Sequence, residues 1–556
     1  MSGIIPDRES MTVEFRSDVS PIGDDELLAA VVCMANADGG TIYLGVEDNG
    51  RVTGLSSKHQ NLTGLAAMVA ARTIPPLAVR VSGIPQDDRT VAKIEVPKST
   101  RIVATSRGLV TRRRIQADGT PECVPYYPHE FDTRASDLGM LDYSARPVIG
   151  ASVKDLDPLE LNRLRRMIEQ LGGDRNLLAL RDEELTGALA LTRCVDGIRV
   201  PTVAGLLLLA NEESLREHVP THEVAFQVLE GPLVRVNDFY RTPLLRVYER
   251  VLEQFRAWLR DDEVMVRFMR IPVPNYDESA FREAFVNALV HRDYTRLGAV
   301  HIRWEQDCIV VSNPGGFVEG VTLSNLLVTE PRARNPVLAD TFKRIGLAER
   351  TGRGIDNIYR GLLRYGRSAP DYSRSDAVSV VLRLPGGKAD EAFVQLVVNE
   401  ENRRGMPVPL DSLIALSELK RQRRIDTAHL AHAIQRDEAT ARATLEQLVE
   451  SGLAEAHGVK KGRTYTLSAQ VYRELGQPED YIRQTGFEPI QQENMVIRYV
   501  KAHGRITRGE ATELCRISPY RASRLLSGLS EDGRLVRRGA KRGTYYELSH
   551  NSRARS

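Results

Sequence analysis

Apolar residues recur at steps of three and four along several stretches of the chain, and this spacing predicts amphipathic helices. The longest such stretch covers residues 242–260, and its apolar face is formed by Leu244, Leu245, Tyr248, Val251, Leu252, Phe255 and Leu259. The same spacing predicts helices over 24–36, 157–170 and 181–191, and short apolar runs predict strands over 41–46 and 223–229. We therefore expect an α+β fold in which the 242–260 helix packs in a core or in a dimer contact.

Another predicted helix carries a polar stripe. Glu283, Asn287 and His291 are spaced by four residues, so a helix places them on one face. A carboxylate, an amide and an imidazole arranged in this way suit a magnesium–nucleotide site. The amide oxygen can ligate a hard cation, and the carboxylate can hold a water molecule near a phosphate. An ordinary polar stripe is the alternative reading of these three positions.

Two glycine-rich segments follow the stripe. A strand predicted over 308–311 runs into a Pro-Gly-Gly turn, and a Gly-Arg-Gly segment at 352–354 opens a helix predicted over 355–365. Backbone N–H groups at such a helix start can face phosphates. The stripe and the two segments, in this order, resemble the asparagine box and the two glycine boxes of the GHKL (Bergerat-type) ATPase fold. The resemblance is to a divergent bacterial branch often labelled RecG-like, in which His-Arg-Asp-Tyr (291–294 here) and Asn-Pro-Gly-Gly (313–316 here) recur.

The resemblance implies an ATP and Mg²⁺ site. It implies that Asn287 ligates Mg²⁺ and that Glu283 orients or deprotonates the attacking water. The remaining residues that it assigns to the nucleotide are His291, Asn313, Gly315, Gly316, Gly352, Arg353 and Gly354. The family usually offers an aspartate to the adenine amino group, whereas this chain has Ser312 and Asn313 there, so adenine selectivity and hydrolysis stay open. The sequence has no Gly-x-x-x-x-Gly-Lys-Ser/Thr motif, so the RecG-like label does not imply helicase activity.

The N-terminal region carries a Glu-Phe-Arg strand at 14–16, a helix ending in Ala-Asn-x-x-Gly-Gly at 35–40, and Gly-Val-Glu-Asp at 45–48. This set resembles the AlbA-like domain of Schlafen proteins and of bacterial DNA-binding proteins. In the ribonuclease members three acids form the catalytic cluster, and the resemblance places Glu9, Glu14 and Asp48 there, with Arg16 where a lysine is usual. Clustered carboxylates can hold a divalent cation that activates water. The alternative is that Glu14 pairs with Arg16 and that Asp48 caps a turn.

Positive charge is concentrated near residues 112–114 and near the C-terminus. Arg112, Arg113 and Arg114 form a run in the N-terminal region, where they and Arg16 predict contacts to nucleic-acid phosphates rather than to bases. A solvated basic face is the alternative for this run.

The C-terminal third is an ungapped repeat with an offset of 81 residues, as the pairs Ile425/Ile506 and Tyr465/Tyr546 illustrate. Each copy predicts two helices and a basic hairpin, which resembles a winged helix-turn-helix with recognition helices over 439–450 and 519–529. We expect the second copy to contact DNA through Arg521, Arg524, Arg537, Arg538, Lys541 and Arg542. The first copy is more acidic and is expected to pack against protein, although both copies could be protein-interaction modules.

Length and composition limit the number of domains and the cellular compartment that we expect. The 556 residues divide into five predicted regions: 1–145, 150–240, 241–390, 391–470 and 485–550. The five cysteines are scattered without Cys-x-x-Cys spacing, which predicts free thiols and a reducing cytoplasm. The N-terminus lacks the apolar core of a signal peptide, and the apolar run at 204–210 is too short to span a bilayer, so we expect a cytoplasmic protein without a membrane partner.

Taken together, these patterns predict an α+β multidomain protein. It would combine an AlbA/Schlafen-like α/β domain, a GHKL-like α/β sandwich and two winged helices. The expected function is nucleotide-regulated binding of DNA or RNA, in a transcriptional regulator or a phage-defence component, as a homodimer or higher homo-oligomer. The alternative is a metal-dependent Schlafen-like nuclease that uses Glu9, Glu14 and Asp48.

Overall fold

The computed structural model describes residues 5–86, 88–116, 119–266, 269–348, 352–458, 462–475, 489–515, 517–539 and 544–549. Its N-terminal part contains a four-stranded sheet of order β1-β2-β5-β4, in which β1 and β2 are parallel. The apolar side of α1 is buried on this sheet, together with residues of α2. The elements of this part are β1 Val13–Arg16, α1 Asp24–Ala35, β2 Gly40–Leu44, α2 Leu62–Arg72, β3 Thr73–Ile74, β4 Arg80–Gln86, β5 Arg89–Val96, β6 Ala104–Thr105, β7 Thr111–Ile115, β8 Pro121–Pro125 and α3 Pro128–Asp137.

The central part is built on a mixed five-stranded sheet of order β12-β11-β15-β16-β17. Its helices and strands are α4 Pro158–Gln170, α5 Asp182–Ala188, β9 Thr192–Val195, β10 Ile198–Pro201, α6 Val203–Leu209, α7 Glu212–His218, β11 Val224–Glu230, β12 Leu233–Tyr240, α8 Leu244–Trp258, β13 Asp261–Val266, β14 Met269–Pro274, α9 Glu278–His291, β15 Val300–Trp304, β16 Cys308–Pro314, α10 Pro336–Ile345, α11 Gly354–Leu363 and β17 Ser379–Pro385. One hydrophobic core extends from Ala151 to Leu384 and includes residues of the five-stranded sheet and of α4, α8, α9 and α11. The boundary predicted at 240/241 therefore lies within a single sheet and a single core.

The apolar face predicted over 242–260 is confirmed as core. It forms α8, whose Leu244, Val251 and Phe255 are fully buried. The Phe255 ring stacks on Phe281 of α9 with 4.1 Å between centroids, an aromatic contact that adds to the area buried. The predicted apolar run near 204–210 is also buried, as α6. These contacts fix the position of α9, the helix that carries the polar stripe.

The C-terminal part contains two units that share the order helix, strand, helix, helix, strand, strand, and the first unit has an additional helix at each end. Each has helices around a three-stranded sheet in which the short first strand pairs with the last strand of the hairpin. The first unit comprises α12 Glu391–Arg404, α13 Leu410–Gln422, β18 Ile425–Asp426, α14 Thr427–Ile434, α15 Glu438–Glu450, β19 Ala454–His457, β20 Thr464–Leu467 and α16 Ala469–Glu474. The second comprises α17 Pro489–His503, β21 Arg505–Thr507, α18 Arg508–Cys515, α19 Pro519–Glu531, β22 Leu535–Arg538 and β23 Tyr545–Leu548. The repeat in the sequence thus corresponds to a repeat in the structure.

The first C-terminal unit shares its core with α11 of the central part. Tyr359 and Leu363 of α11 are buried in the same cluster as the apolar residues of α13 to α15. Arg360 also donates a hydrogen bond of 2.6 Å to the carbonyl of Val408. The helix that opens at the Gly-Arg-Gly segment is therefore held by the first unit along one face.

The prediction of five free thiols is wrong for two cysteines. Cys33 of α1 and Cys123 of β8 form a disulfide, although 90 residues separate them in the sequence. Packing of the β7–β8 hairpin on α1 brings their Cα atoms to 5.9 Å, which spacing along the chain could not reveal. Cys194, Cys308 and Cys515 are free.

None of the helices within the described ranges combines the length and the apolar character needed to cross a membrane.

Candidate functional site

The polar stripe lies on α9, as its spacing predicts. The Asp277 carboxylate caps the start of this helix by accepting from Ala280 N at 2.8 Å. Glu283, Asn287 and His291 are half-buried on the face opposite the apolar packing. Among the described residues, the Asn287 side chain has no hydrogen-bond partner. An amide that is half-buried and without a protein partner is available to a ligand.

The stripe meets the predicted phosphate-binding segment at Gly354. Helix α11 begins at this glycine, and a Cβ atom there would overlap the Glu283 carboxylate. Farther along α11, a Cβ on Gly361 would lie 2.8 Å from an Asp277 oxygen, so both glycines permit the close approach of α11 to α9. The Glu283 carboxylate consequently sits at the positive end of the α11 dipole, an arrangement that stabilises a negative charge by about 0.3–1 kcal/mol. Two motifs separated by about 70 residues thus form one site.

Two ionisable side chains beside this site, Tyr372 and His291, have pKa values that favour their neutral forms. Burial raises the pKa of the Tyr372 hydroxyl, and the nearby Glu283 charge adds to the rise. Burial also lowers the pKa of His291 to about 4, with a further contribution from the Arg334 guanidinium. His291 is therefore neutral near pH 7 and would meet a nucleotide as a hydrogen-bonding group rather than as a cation.

The first glycine-rich turn follows β16. Gly315 has a positive φ of 94°, and a Cβ there would lie 2.8 Å from the Cβ of Asp293. A Cβ on Gly316 would lie 2.7 Å from the carbonyl oxygen of Asp376. Both glycines are thus explained by close backbone packing around the turn. Asn313 is buried in β16, and its Nδ2 donates to the carbonyl of Pro314 at 3.2 Å.

The His-Arg-Asp-Tyr motif has a structural role at the end of α9. Arg292, Asp293 and Tyr294 are all buried. The Arg292 guanidinium donates to the carbonyl of Gly298 at 2.6 Å, and the Tyr294 hydroxyl donates to the carbonyl of Leu289 at 2.9 Å. These bonds close the turn that returns the chain from α9 to the sheet.

Two residues between the glycine segments were given no role from the sequence. The Arg334 guanidinium donates to the carbonyls of His291 at 3.1 Å and Gly316 at 2.9 Å, and it also pairs with Asp137 of α3. The Asn335 amide donates to the carbonyls of Val290 and Arg292, each at 2.8 Å. Together they satisfy carbonyls that the last turn of α9 leaves unpaired. The Arg-Asn-Pro sequence was the available signal, because proline favours the first position of a helix and α10 begins at Pro336.

The three N-terminal acids occupy different environments. Glu14 is only 3% exposed and forms ion pairs with Arg16 and with Arg113. Glu9 accepts from the backbone N–H of Phe15 at 2.8 Å, and Asp48 is exposed in the turn after β2. In the described ranges no three His, Cys, Asp or Glu side chains are grouped so that they could hold a metal ion. The Glu14–Arg16 ion pair is the alternative that the sequence left open.

The basic run over 112–114 is largely paired with acids. Arg113 is buried, and besides Glu14 it binds the carbonyls of Ser10 and Val13 at 3.0 and 2.9 Å, so its prediction as a nucleic-acid contact is wrong. Burial lowers its pKa. The side chains on either side of it in β7 are more accessible. Arg112 pairs with Glu130, and Arg114 pairs with Glu122 at 2.5 Å.

The second C-terminal unit exposes the arginines predicted for it. Arg521 and Arg524 are exposed on α19, where Tyr520 is 73% exposed, and Arg537 and Arg538 are exposed on β22. Lys541 and Arg542 lie outside the described residues. In the first unit the corresponding helix α15 carries Glu446, which accepts from the Tyr465 hydroxyl at 2.6 Å and from Arg463 at 2.9 Å. The two units therefore differ in surface charge, as the sequence predicts.

Three family models match parts of the chain. Residues 9–118 match the model described as Schlafen, AlbA_2. Residues 298–383 match the model described as "Putative ATP-dependent DNA helicase recG C-terminal". Residues 134–225 match a domain of unknown function, DUF8451. No curated protein matches the chain.

Solved structures that are similar to the chain include the following two. The DIP2311 protein from Corynebacterium diphtheriae is 21% identical over 97% of this chain and 95% of its own, with a TM-score of 0.49. The N-terminal domain of a RecG-related protein from Nitrosomonas europaea is 25% identical over 16% of this chain and 65% of its own, with a TM-score of 0.15. Together with the motifs, the family matches confirm the two resemblances seen in the sequence. The chain is thus similar to the Schlafen AlbA_2 model over residues 9–118 and to the model of a RecG C-terminal domain over residues 298–383.

Proposed function

We propose that this protein binds nucleic acid and that a magnesium–nucleotide at α9 and α11 regulates this binding. The observation that carries the proposal is the juxtaposition of three groups. The Glu283 carboxylate touches the start of α11 at Gly354, and one turn away the Asn287 amide has no hydrogen-bond partner among the described residues. The family match over residues 298–383 supports nucleotide binding in this part of the chain.

The donor set fits the chemistry of such a ligand. The Asn287 amide oxygen would hold Mg²⁺, a hard cation that prefers oxygen ligands. The backbone N–H groups of Gly352 to Gly354 would face phosphate oxygens at the positive end of α11. The Asn313 Nδ2 already donates to Pro314, so its oxygen is the atom that would accept from an adenine amino group. Bound Mg²⁺ would neutralise phosphate charge beside Glu283.

The nucleic-acid contact is assigned to the second C-terminal unit. Its order of elements is the one that we expect of a winged helix, and Arg521 and Arg524 on the exposed face of α19 would suit the major groove of a DNA duplex. The first unit is assigned to contacts within the protein, because its core is shared with α11. A homodimer would present two copies of α19 to a palindromic site. This is the organisation of a transcriptional regulator, and a phage-defence component would use the same parts.

Calorimetry with ATP and Mg²⁺ tests the nucleotide site. Asn287→Ala is expected to weaken binding at least tenfold, whereas Asn237→Ala on the exposed edge strand β12 serves as a matched control and should bind like the parent protein. Equal affinity in both variants would contradict the assignment of Asn287.

Duplex binding at several salt concentrations tests the second unit. Arg521→Ala combined with Arg524→Ala should weaken binding and lower the slope of log affinity against log salt by about 0.9 for each phosphate that is no longer neutralised. Arg442→Ala, an exposed arginine on α15 of the first unit, is the matched control and should leave the slope unchanged. An unaltered slope in the double variant would remove α19 as the contact surface.

The nuclease alternative requires Glu14 to bind a metal ion while it is paired with two arginines. If that chemistry operates, labelled RNA or DNA should be cut in the presence of Mg²⁺ or Mn²⁺, and Glu14→Gln should abolish the cut. The Glu14 ion pairs favour binding over cleavage for this domain.

A further inference from the structure

One loop begins and ends at the candidate nucleotide site. The bridging loop, residues 317–333, follows the glycine turn and ends immediately before Arg334. The Arg334 guanidinium donates to Gly316 O on one side of the loop and to His291 O at the end of α9. Both ends of the bridging loop are therefore fixed to the helix that carries Glu283 and Asn287.

The bridging loop also touches the predicted phosphate-binding segment. Gly352 has a positive φ of 77°, and a Cβ on it would lie 2.6 Å from the Cγ of Pro331. No space separates these two residues. A shift of the segment 352–354 toward Pro331 on binding phosphate would therefore displace Pro331 or be resisted by it.

Near its start the bridging loop is attached to the N-terminal part. The backbone N–H of Glu319 donates to the carbonyl of Asp137 at 2.9 Å. The Glu319 carboxylate pairs with Lys98 at 3.2 Å and with Arg134 at 3.7 Å. These contacts connect the loop to α3 and to the segment after β5.

In its middle the bridging loop is attached to the first C-terminal unit by one side chain. The Gln435 Oε1 accepts from the backbone N–H of Leu327 at 2.8 Å, and its Nε2 donates to the carbonyl of Leu323 at 2.9 Å. The side-chain amide of Gln435 thus accepts from one backbone N–H of the loop and donates to one backbone carbonyl of it.

The backbone at Gln435 is left-handed, and the side chain at this position differs between the two copies of the repeat. Gln435 follows α14 with a positive φ of 56°, a conformation in which glycine or asparagine is usual. At the matching position of the second copy the sequence has Arg516, which lies outside the described residues. Glutamine is therefore a feature of the copy that lies against the loop rather than of the repeat.

We propose that the bridging loop is a strap through which the nucleotide site communicates with the rest of the chain, with Gln435 and Glu319 as its two attachment points. Nucleotide bound at 352–354 would act on Pro331, and the strap would pass the displacement to the first C-terminal unit and to α3. Gln435 and Glu319 are positioning residues that touch no nucleotide. The inference rests on the proposed function, because it names how the same site regulates nucleic-acid binding. It requires the nucleotide to favour one arrangement of the strap over another.

The test compares duplex affinity with and without ATP and Mg²⁺ in the full chain. Gln435→Gly removes the amide and suits the left-handed backbone, and Gln435→Glu keeps the size of the side chain but removes its donor. Arg423→Gly is the matched control, because Arg423 has a positive φ of 65° in the same unit and is exposed. Coupling between two sites is typically about 5- to 150-fold, and the removal of each hydrogen bond should reduce it by about 2- to 10-fold. We expect both Gln435 variants to lose most of the nucleotide effect while they bind ATP as the parent protein does.

Hydrogen exchange of the bridging loop separates the proposed role of Gln435 from a purely structural one, because a purely structural contact would not make the exchange rate depend on ATP. The Leu327 amide should exchange faster in Gln435→Gly, and in the parent protein its exchange should change when ATP and Mg²⁺ are added. A nucleotide effect of parental size in both Gln435 variants would overturn the strap and leave the proposed function intact. ATP that binds without changing duplex affinity or exchange over 319–331 would overturn the strap and the regulation together. Absence of ATP binding would overturn the proposed function itself.

Glu319 tests the other attachment point. Glu319→Gln removes the charge that Lys98 and Arg134 share, while its backbone hydrogen bond to Asp137 is unaffected. When residues 98–137 are followed by hydrogen exchange, the change that ATP induces in them is expected to shrink in this variant. A change of parental size there would confine the strap to its Gln435 end.

Discussion

Substitution of Arg334 tests how the end of α9 is held against the glycine turn after β16. Its guanidinium is almost fully buried and makes three separate contacts, to the carbonyls of His291 and Gly316 and to the Asp137 carboxylate. Lysine retains the charge but presents a single nitrogen, which cannot span three acceptors as the planar fork does. Arg334→Lys should therefore break at least one of the two carbonyl bonds.

The magnitude follows from the burial of the partners. A hydrogen bond from a charged donor is worth about 1.5–3 kcal/mol, so Arg334→Lys is expected to cost about 2–4 kcal/mol. Arg334→Leu leaves both carbonyls unpaired and should cost about 3–5 kcal/mol. Asp137→Asn should cost about 1 kcal/mol or less, because the Asp137 side chain is 27% exposed and solvent can replace the lost charge. The loss of stability is therefore expected to be largest for Arg334→Leu, intermediate for Arg334→Lys and smallest for Asp137→Asn.

The assay is urea unfolding followed by tryptophan fluorescence. The chain has two tryptophans, Trp258 and Trp304, and both belong to the central part, so the signal reports on the unfolding of the region that Arg334 stabilises. Arg344→Lys, an arginine on α10 that pairs with Asp174 at 3.2 Å near the surface, is a suitable control and should change stability by less than about 1 kcal/mol. If Arg334→Lys unfolds at the parental urea concentration, or if Asp137→Asn costs more than Arg334→Lys, the role given to the two carbonyl bonds is refuted.

The structure predicts the direction of three further effects, on ATP affinity, on stability under reduction and on stability at low pH. Gly354→Ala should weaken ATP binding in calorimetry more than it lowers the melting temperature, because its Cβ displaces the flexible Glu283 carboxylate; unchanged affinity would contradict this. Dithiothreitol should lower the stability of the N-terminal part by up to about 4–5 kcal/mol, since the Cys33–Cys123 bond closes a long loop, and Cys33→Ser should remove the effect of the reductant. The pKa of His291 is about 4 in the folded protein and about 6.5 when unfolded, so the unfolded chain binds the extra proton as pH falls through this window. Stability should fall by up to about 3 kcal/mol between those pH values, and urea unfolding of His291→Gln should show a shallower fall; an equal fall would contradict it.

Elements whose positions depend on local spacing could be predicted from the sequence. The stripe of Glu283, Asn287 and His291 follows from a period of four, and the helix that carries it was found where the spacing puts it. The apolar face of α8 was likewise found as core. In both cases the signal lies within a few turns of one helix, where side-chain direction is set by the backbone itself.

Features that depend on distant pairing could not be predicted. Arg334 is 43 residues from His291 and 197 residues from Asp137, and nothing local marks the three as partners. The Cys33–Cys123 bond is of the same kind. In each case the contact exists because two segments pack together, which is information that composition and spacing do not contain.

The basic run over 112–114 was misread for a reason that the sequence could have supplied. Successive side chains of a strand point to opposite faces, so three arginines in a row cannot all face one phosphate backbone. In β7 the middle one, Arg113, points inward to Glu14, and its neighbours point outward. Treating the run as a strand would have singled out Arg113 as the buried member.

The glycines of the two predicted boxes illustrate why motif residues alone do not establish a nucleotide site. Gly315, Gly316 and Gly352 each lie against another part of the protein, and a Cβ would be obstructed at every one of them without any ligand. A substitution there disturbs packing whether or not ATP binds, so loss of function would not separate the two explanations. Asn287 differs, because its amide is half-buried and has no hydrogen-bond partner within the described residues. Its removal should cost little folding energy and much ligand affinity, which makes Asn287→Ala the variant that distinguishes a nucleotide site from a well-packed pair of helices.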